Sequence, residues 1–135
     1  MDITETIVIP ATPDAVWEVG GDVGRISDWV PAIEASHLDG DIRHATFAGG
    51  GGVATERIVE RDDAARAYVY EYLSGPLALE EYRSRFAVRG HPDGSEVVWT
   101  STFTAGSADE ETALAEAIGG IYRSALHALK DRVAG

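Results

Sequence analysis

A chain of 135 residues with 44% hydrophobic side chains is one domain by length, with enough apolar material for its own core and too much for a disordered segment. Its formal net charge of −12 argues against nucleic acid and anionic membrane as partners, because both repel such a surface. The lack of cysteine excludes disulfides, cysteine nucleophiles and thiolate metal sites.

The N-terminus, Met1-Asp2-Ile3-Thr4-Glu5, lacks the basic and apolar regions of a signal peptide, and no apolar run approaches the roughly 20 residues of a membrane span. A cytoplasmic protein without membrane insertion is expected. Residues 2–9 alternate as a strand that ends at Pro10. Thr12-Pro13-Asp14 then starts a helix, with Thr12 as N-cap and Pro13 at the first helical position, and Gly20-Gly21 stops it. A second short helix is expected near Val23 to Trp29, closed by Pro31.

From Ile33 to Ala105 the pattern is strands and turns. Strands are expected at Ile33–Leu38, Ile42–Phe47, Val53–Glu60, Ala67–Leu73, Glu80–Arg89 and Val97–Thr104. The turns between them are Asp39-Gly40, the glycine run Gly49–Gly52, Arg61-Asp62-Asp63, Ser74-Gly75-Pro76 and Pro92-Asp93-Gly94. Tyr68, Tyr70 and Tyr72 share one face of their strand. Tyr82, Ser84, Phe86 and Val88 share a face of the next, and Val97, Trp99, Ser101 and Phe103 a face of the last. Short connections between consecutive strands imply an antiparallel meander.

Ser107 to Val133 reads as one amphipathic helix. Leu114, Ile118, Ile121, Ala125, Leu129 and Val133 recur at spacings of four and three, and Ala117, Tyr122 and Leu126 widen the stripe. Ser107-x-x-Glu110 has the form of a capping box, and acidic residues near the start with basic ones near the end suit the helix dipole. Gly119-Gly120 in mid-helix leaves two readings: close packing or a bend, or room for something bound beneath. The long helix is the only large amphipathic element available to cover the sheet, and such an arrangement often encloses a cavity.

Read in order, the motifs carry a family resemblance. Ala11-Thr12-Pro13-Asp14-Ala15-Val16-Trp17, Asp28-Trp29-x-Pro31, Gly40-Asp41-Ile42-Arg43, Ala54-Thr55-Glu56-Arg57-Ile58, Tyr82-Arg83-Ser84 and Val98-Trp99 resemble the START/Bet v 1-like (SRPBCC) superfamily, in its polyketide cyclase/dehydrase branch. The resemblance covers nearly the whole chain, 1–135. It implies an α+β helix-grip fold: a curved seven-stranded antiparallel sheet around the long C-terminal helix, with two short helices after the first strand. A more distant resemblance, through Thr55-Glu56-Arg57, is to plant abscisic-acid receptors. It implies a gate loop at Gly49–Gly52, a latch-like loop at Gly75-Pro76-Leu77, and pocket positions at Phe47, Glu56, Tyr70, Tyr72, Leu79, Tyr82 and Ser84. The receptors' hormone-binding lysine falls near Ser27 and glycines replace their gate sequence, so the resemblance implies a similarly placed pocket and not the same ligand.

Glu56 stands between Ala54 and Ile58 on the inward parity. Two readings stand open: a desolvated carboxylate able to act as acid or base, or a partner of Arg43 or Arg57. Arg43 itself reads either as an internal ion-pair partner or as solvated. The tyrosines read as core or as pocket wall, since a buried phenol still requires a hydrogen-bond partner. A ligand-sized cavity of several hundred cubic ångströms, on the order usual for such sites, is expected. Its walls would include Tyr70, Tyr72, Tyr82, Ser84, Trp99 and the helix near Ile118 and Tyr122. No HxH or HExxH spacing points to a metal, and no Gly-Lys-Ser/Thr follows the glycine run, so no metal, cofactor or phosphate loop is expected.

Three functions are consistent with these residues. The first is binding of a small hydrophobic, aromatic or polycyclic molecule. The second is a polyketide cyclase/aromatase-type reaction with Glu56 and Tyr82 as catalytic groups. The third is ligand-dependent regulation of a partner protein through the gate loops.

Overall fold

The computed structural model describes residues 1–134. Strand β1 (Asp2–Ile9) leads into helix α1 (Pro13–Gly20) and a short 3-10 helix (Val23–Asp28). Six strands follow: β2 (Ile33–Asp39), β3 (Ile42–Phe47), β4 (Val53–Asp62), β5 (Ala67–Ser74), β6 (Glu81–His91) and β7 (Gly94–Thr104). Helix α2 (Ala108–Ala134) closes the chain. The strands form one seven-stranded antiparallel sheet in the order β1-β7-β6-β5-β4-β3-β2, a meander whose first strand pairs with its last.

Local chemistry sets the element ends. Thr12 Oγ1 accepts the Ala15 N–H at 3.2 Å, which caps α1 behind Pro13. Ser107 Oγ accepts the Glu110 N–H at 3.2 Å. The return bond of the expected capping box is displaced by one residue, because the Glu110 carboxylate accepts from the Gly106 N–H rather than from Ser107. Gly94, at φ 132°, makes the β6–β7 turn, and a Cβ there would meet Ile9 O at 2.6 Å.

One face of α2 lies on the sheet. Ile118, Tyr122, Ala125, Leu126 and Leu129 are buried, whereas Ala117 is exposed and falls outside the stripe expected of it. Phe86, Trp29 and Trp99 join the sheet to the short helices through ring contacts of 5.6–5.9 Å between centroids. The Gly119-Gly120 pair does not line the cavity. Arg123 folds back across Gly119, where a Cβ would stand 3.2 Å from its Nη1, and reaches Glu5 of β1 at 2.8 Å.

Candidate functional site

The inner faces of β2 to β7, the short 3-10 helix, the buried face of α2 and two loops surround a cavity of about 70 Å³. Its walls are mostly apolar and aromatic, which follows from the alternation of Tyr68, Tyr70 and Tyr72 on β5 and of Ala45 and Ala54 on β3 and β4. Phe47, Glu56, Tyr70, Tyr72 and Leu79 lie on these walls, as do Tyr82, Trp99, Ile118 and Tyr122.

Ser84 does not. It faces inward and is buried, but it sits behind Tyr122, whose ring stacks on Trp99 at 4.0 Å and 10° and screens it from the cavity. The same stacking fills much of the space expected to be open. Tyr72 fills more by bridging to the second loop: its hydroxyl donates to Leu77 O at 3.2 Å and accepts the Leu77 N–H at 3.0 Å. The cavity is therefore well short of the several hundred cubic ångströms expected.

The polar feature that parity could not assign is Arg43. It is 1% exposed, the most polar of the fully buried side chains. The pairing of β3 with β4 sets Arg43 directly opposite Glu56, and a bulge next to Glu56 pairs it with Tyr72 on the other side. Arg43 Nε donates to Glu56 Oε1 at 2.8 Å. Its Nη1 donates to Val23 O and to the Tyr68 hydroxyl, both at 3.2 Å. The guanidinium also lies over the Tyr70 ring, 4.6 Å from its centroid. Burial works against the charge, but the Glu56 carboxylate, with Tyr68 and Tyr70 behind it, outweighs burial and raises the guanidinium pKa.

At the α2 end of the cavity the phenols form a chain. The Tyr70 and Tyr82 hydroxyls are 3.2 Å apart, Tyr82 is hydrogen-bonded to Tyr122, and Tyr122 lies 3.2 Å from Ser84 Oγ. Burial pushes Tyr70 and Tyr82 well above the ordinary phenol range, with the neighbouring phenols adding to it. Tyr122 also rises by burial, against the effect of its hydrogen bonds with neighbouring hydroxyls.

The two loops meet at the mouth. Gly52, at φ 97°, is close enough to Pro76 that a Cβ on it would stand 3.4 Å from the ring. Phe47 and Leu77, at the base of each loop, reach the cavity from either side. Ile26, Val30, Ile33 and Ile121 complete the wall, and none of the four is among the pocket positions that the sequence leads one to expect.

A seven-stranded antiparallel open sheet gripping a long C-terminal helix over an aromatic interior is the fold of START/Bet v 1-like proteins. The chain belongs to the polyketide cyclase/dehydrase and lipid transport family, whose family model matches residues 1–134. The protein XoxI from Bacillus cereus is similar over 98% of this chain and 94% of its own, at 29% identity and a TM-score of 0.91. The Zhui aromatase/cyclase from Streptomyces sp. R1128 shares the fold at 19% identity and a TM-score of 0.81, covering 98% of this chain and 93% of that one. A START superfamily protein from Mycobacterium smegmatis does so at 13% identity and a TM-score of 0.82, covering 98% and 96%. No curated protein matches the chain. Among the described residues no helix is long and apolar enough to cross a membrane.

Proposed function

We propose that this protein binds a small, neutral aromatic molecule in the cavity between sheet and α2. The observation that carries this reading is an apolar, aromatic wall interrupted by one balanced ion pair, Arg43–Glu56. Such a pair leaves no net charge for a ligand to neutralise, and an ionic ligand would bring an uncompensated charge into a desolvated site. A cavity of about 70 Å³ is smaller than the roughly 150 Å³ that holds a benzene. Entry therefore requires the loops at Gly49–Gly52 and Gly75–Leu77 to part, with Phe47 and the Tyr72–Leu77 clasp moving outward.

A thermal-shift screen of neutral aromatic polyketides and hydroxylated polycycles tests the reading. Neutral members are expected to raise Tm, and their carboxylated analogues are not. Ala54→Phe, which puts a ring into the cavity from a wall position, should abolish the shift while the protein stays folded. Equal shifts in the wild type and Ala54→Phe would place binding elsewhere and overturn the reading.

The family relationship and the presence of Glu56 and phenols in one cavity favour a second reading, a cyclase- or aromatase-type reaction in which Glu56 and Tyr82 move protons at a carbonyl-activated carbon. Glu56→Gln separates the two. A pure binder should keep a neutral ligand's affinity within about tenfold, the worth of one hydrogen bond. An enzyme should lose about a hundredfold or more in turnover with binding retained.

A further inference from the structure

We propose that the cavity favours a ligand that donates a hydrogen bond, a hydroxyl on an aromatic skeleton, and that the Tyr70 oxygen is the acceptor. The proposal rests on the binding reading above and deepens it by fixing the polarity of one contact.

The polarity follows from the far end of the phenol chain. Ser84 Oγ lies 2.8 Å from Thr100 O, and a carbonyl only accepts, so the single Ser84 proton lies between them. Trp99 Nε1, a donor only, gives its proton to Ser84 Oγ at 3.0 Å. Ser84 thus has no proton left for Tyr122 and one lone pair free, so Tyr122 donates to Ser84. The Tyr122 proton being committed, Tyr82 donates to Tyr122. By the same step Tyr70 donates to Tyr82. Each phenol has one proton, so the directions along the chain follow from the first, and Ser101, which also bears on Tyr122, can only share that proton or donate to the same oxygen.

The chain therefore runs from Tyr70 through Tyr82 and Tyr122 to Ser84 and the Thr100 carbonyl. It begins at a cavity wall with an oxygen whose proton is already engaged by Tyr82. A hydroxyl that donates one hydrogen bond becomes a better acceptor for the next, so Tyr70 is a strengthened acceptor. In the opposite sense, the Tyr82 proton is held toward Tyr122, which weighs against Tyr82 as a proton donor to a ligand.

The test compares 1-naphthol with 1-methoxynaphthalene by isothermal titration. Both carry an oxygen acceptor and only the first a donor. In wild-type protein the ratio of the two affinities contains the donor contact. In Tyr70→Phe that ratio should fall by about tenfold, with methoxynaphthalene affinity nearly unchanged. Ser84→Ala removes the anchor, frees the chain to reverse, and should lower the ratio in the same direction. A ratio that survives in Tyr70→Phe, with both probes bound, overturns the polarity alone. Binding of neither probe by folded wild-type protein overturns the cavity reading and the proposal together. A ligand-free measurement stands beside these: in wild-type protein the Tyr122 hydroxyl proton should show NMR cross-relaxation to the Ser84 β-protons. Cross-relaxation of that proton to the Tyr82 ring instead would overturn the proposed direction.

Discussion

Arg43 and Glu56 are the residues on which the interior depends most. Removing one member of a buried pair strands the other charge, and such losses run to roughly 3–5 kcal/mol. Arg43→Met is expected to cost about 3 kcal/mol in urea unfolding, and Arg43→Met with Glu56→Gln to recover a good part of it. A double variant no more stable than Arg43→Met would contradict the pairing. The buried phenols give a pH dependence of defined sign. In the folded protein Tyr70, Tyr82 and Tyr122 have raised pKa values, mainly through burial. Unfolded, they release protons near pH 10. The unfolded state therefore binds fewer protons above about pH 10, and stability is full below that pH and falls as pH rises toward the folded values. Each such phenol contributes a slope of about 1.4 kcal/mol per pH unit. Unfolding measured between pH 9 and 12 should steepen above 10, and Tyr82→Phe should reduce the slope. The alternation of the sequence showed which way these tyrosines point. It could not show that Ser84 lies behind a ring, because that depends on Tyr122 coming from α2, 38 positions away, to stack on Trp99.

At the scale of elements, the chain's own punctuation was legible: Thr12-Pro13, the turn glycines and the 3-4 spacing of α2 correspond to the observed elements within about three residues. The register of β4 was not, because a bulge is a local choice of hydrogen bonding that leaves no residue signature in Thr55-Glu56. The glycines differ in what their small size does. At Gly20 a Cβ would lie 2.9 Å from Phe86 Cζ and 3.4 Å from Leu129 Cδ2, against side chains that are fully buried. Gly20→Ala should cost about 1–3 kcal/mol by overpacking. At Gly119 the neighbour is the end of the flexible Arg123 side chain, 3.2 Å from the added atom. Gly119→Ala is expected to be neutral to stabilising by up to about 1 kcal/mol, since alanine favours the helix and the half-exposed Arg123–Glu5 pair is worth less than that. Chemical denaturation of both variants checks the contrast. A Gly119→Ala loss above 1 kcal/mol would mean that close approach of α2 to β1 needs the glycine itself.

For the whole molecule, the architecture was legible because the element order leaves α2 as the only large amphipathic element available to cover the sheet. The cavity's size was not, since a void of about 70 Å³ is a small remainder of large packed volumes. The most direct test of the binding account is a titration of the isotope-labelled protein with 1-naphthol, followed by NMR. Shifts are expected in the side chains of Tyr70, Trp99, Ile118 and Tyr122 and in the backbone of the two mouth loops, and none of these in Ala54→Phe. An unchanged spectrum at saturating naphthol, or shifts confined to the outer face of the sheet, would contradict the account.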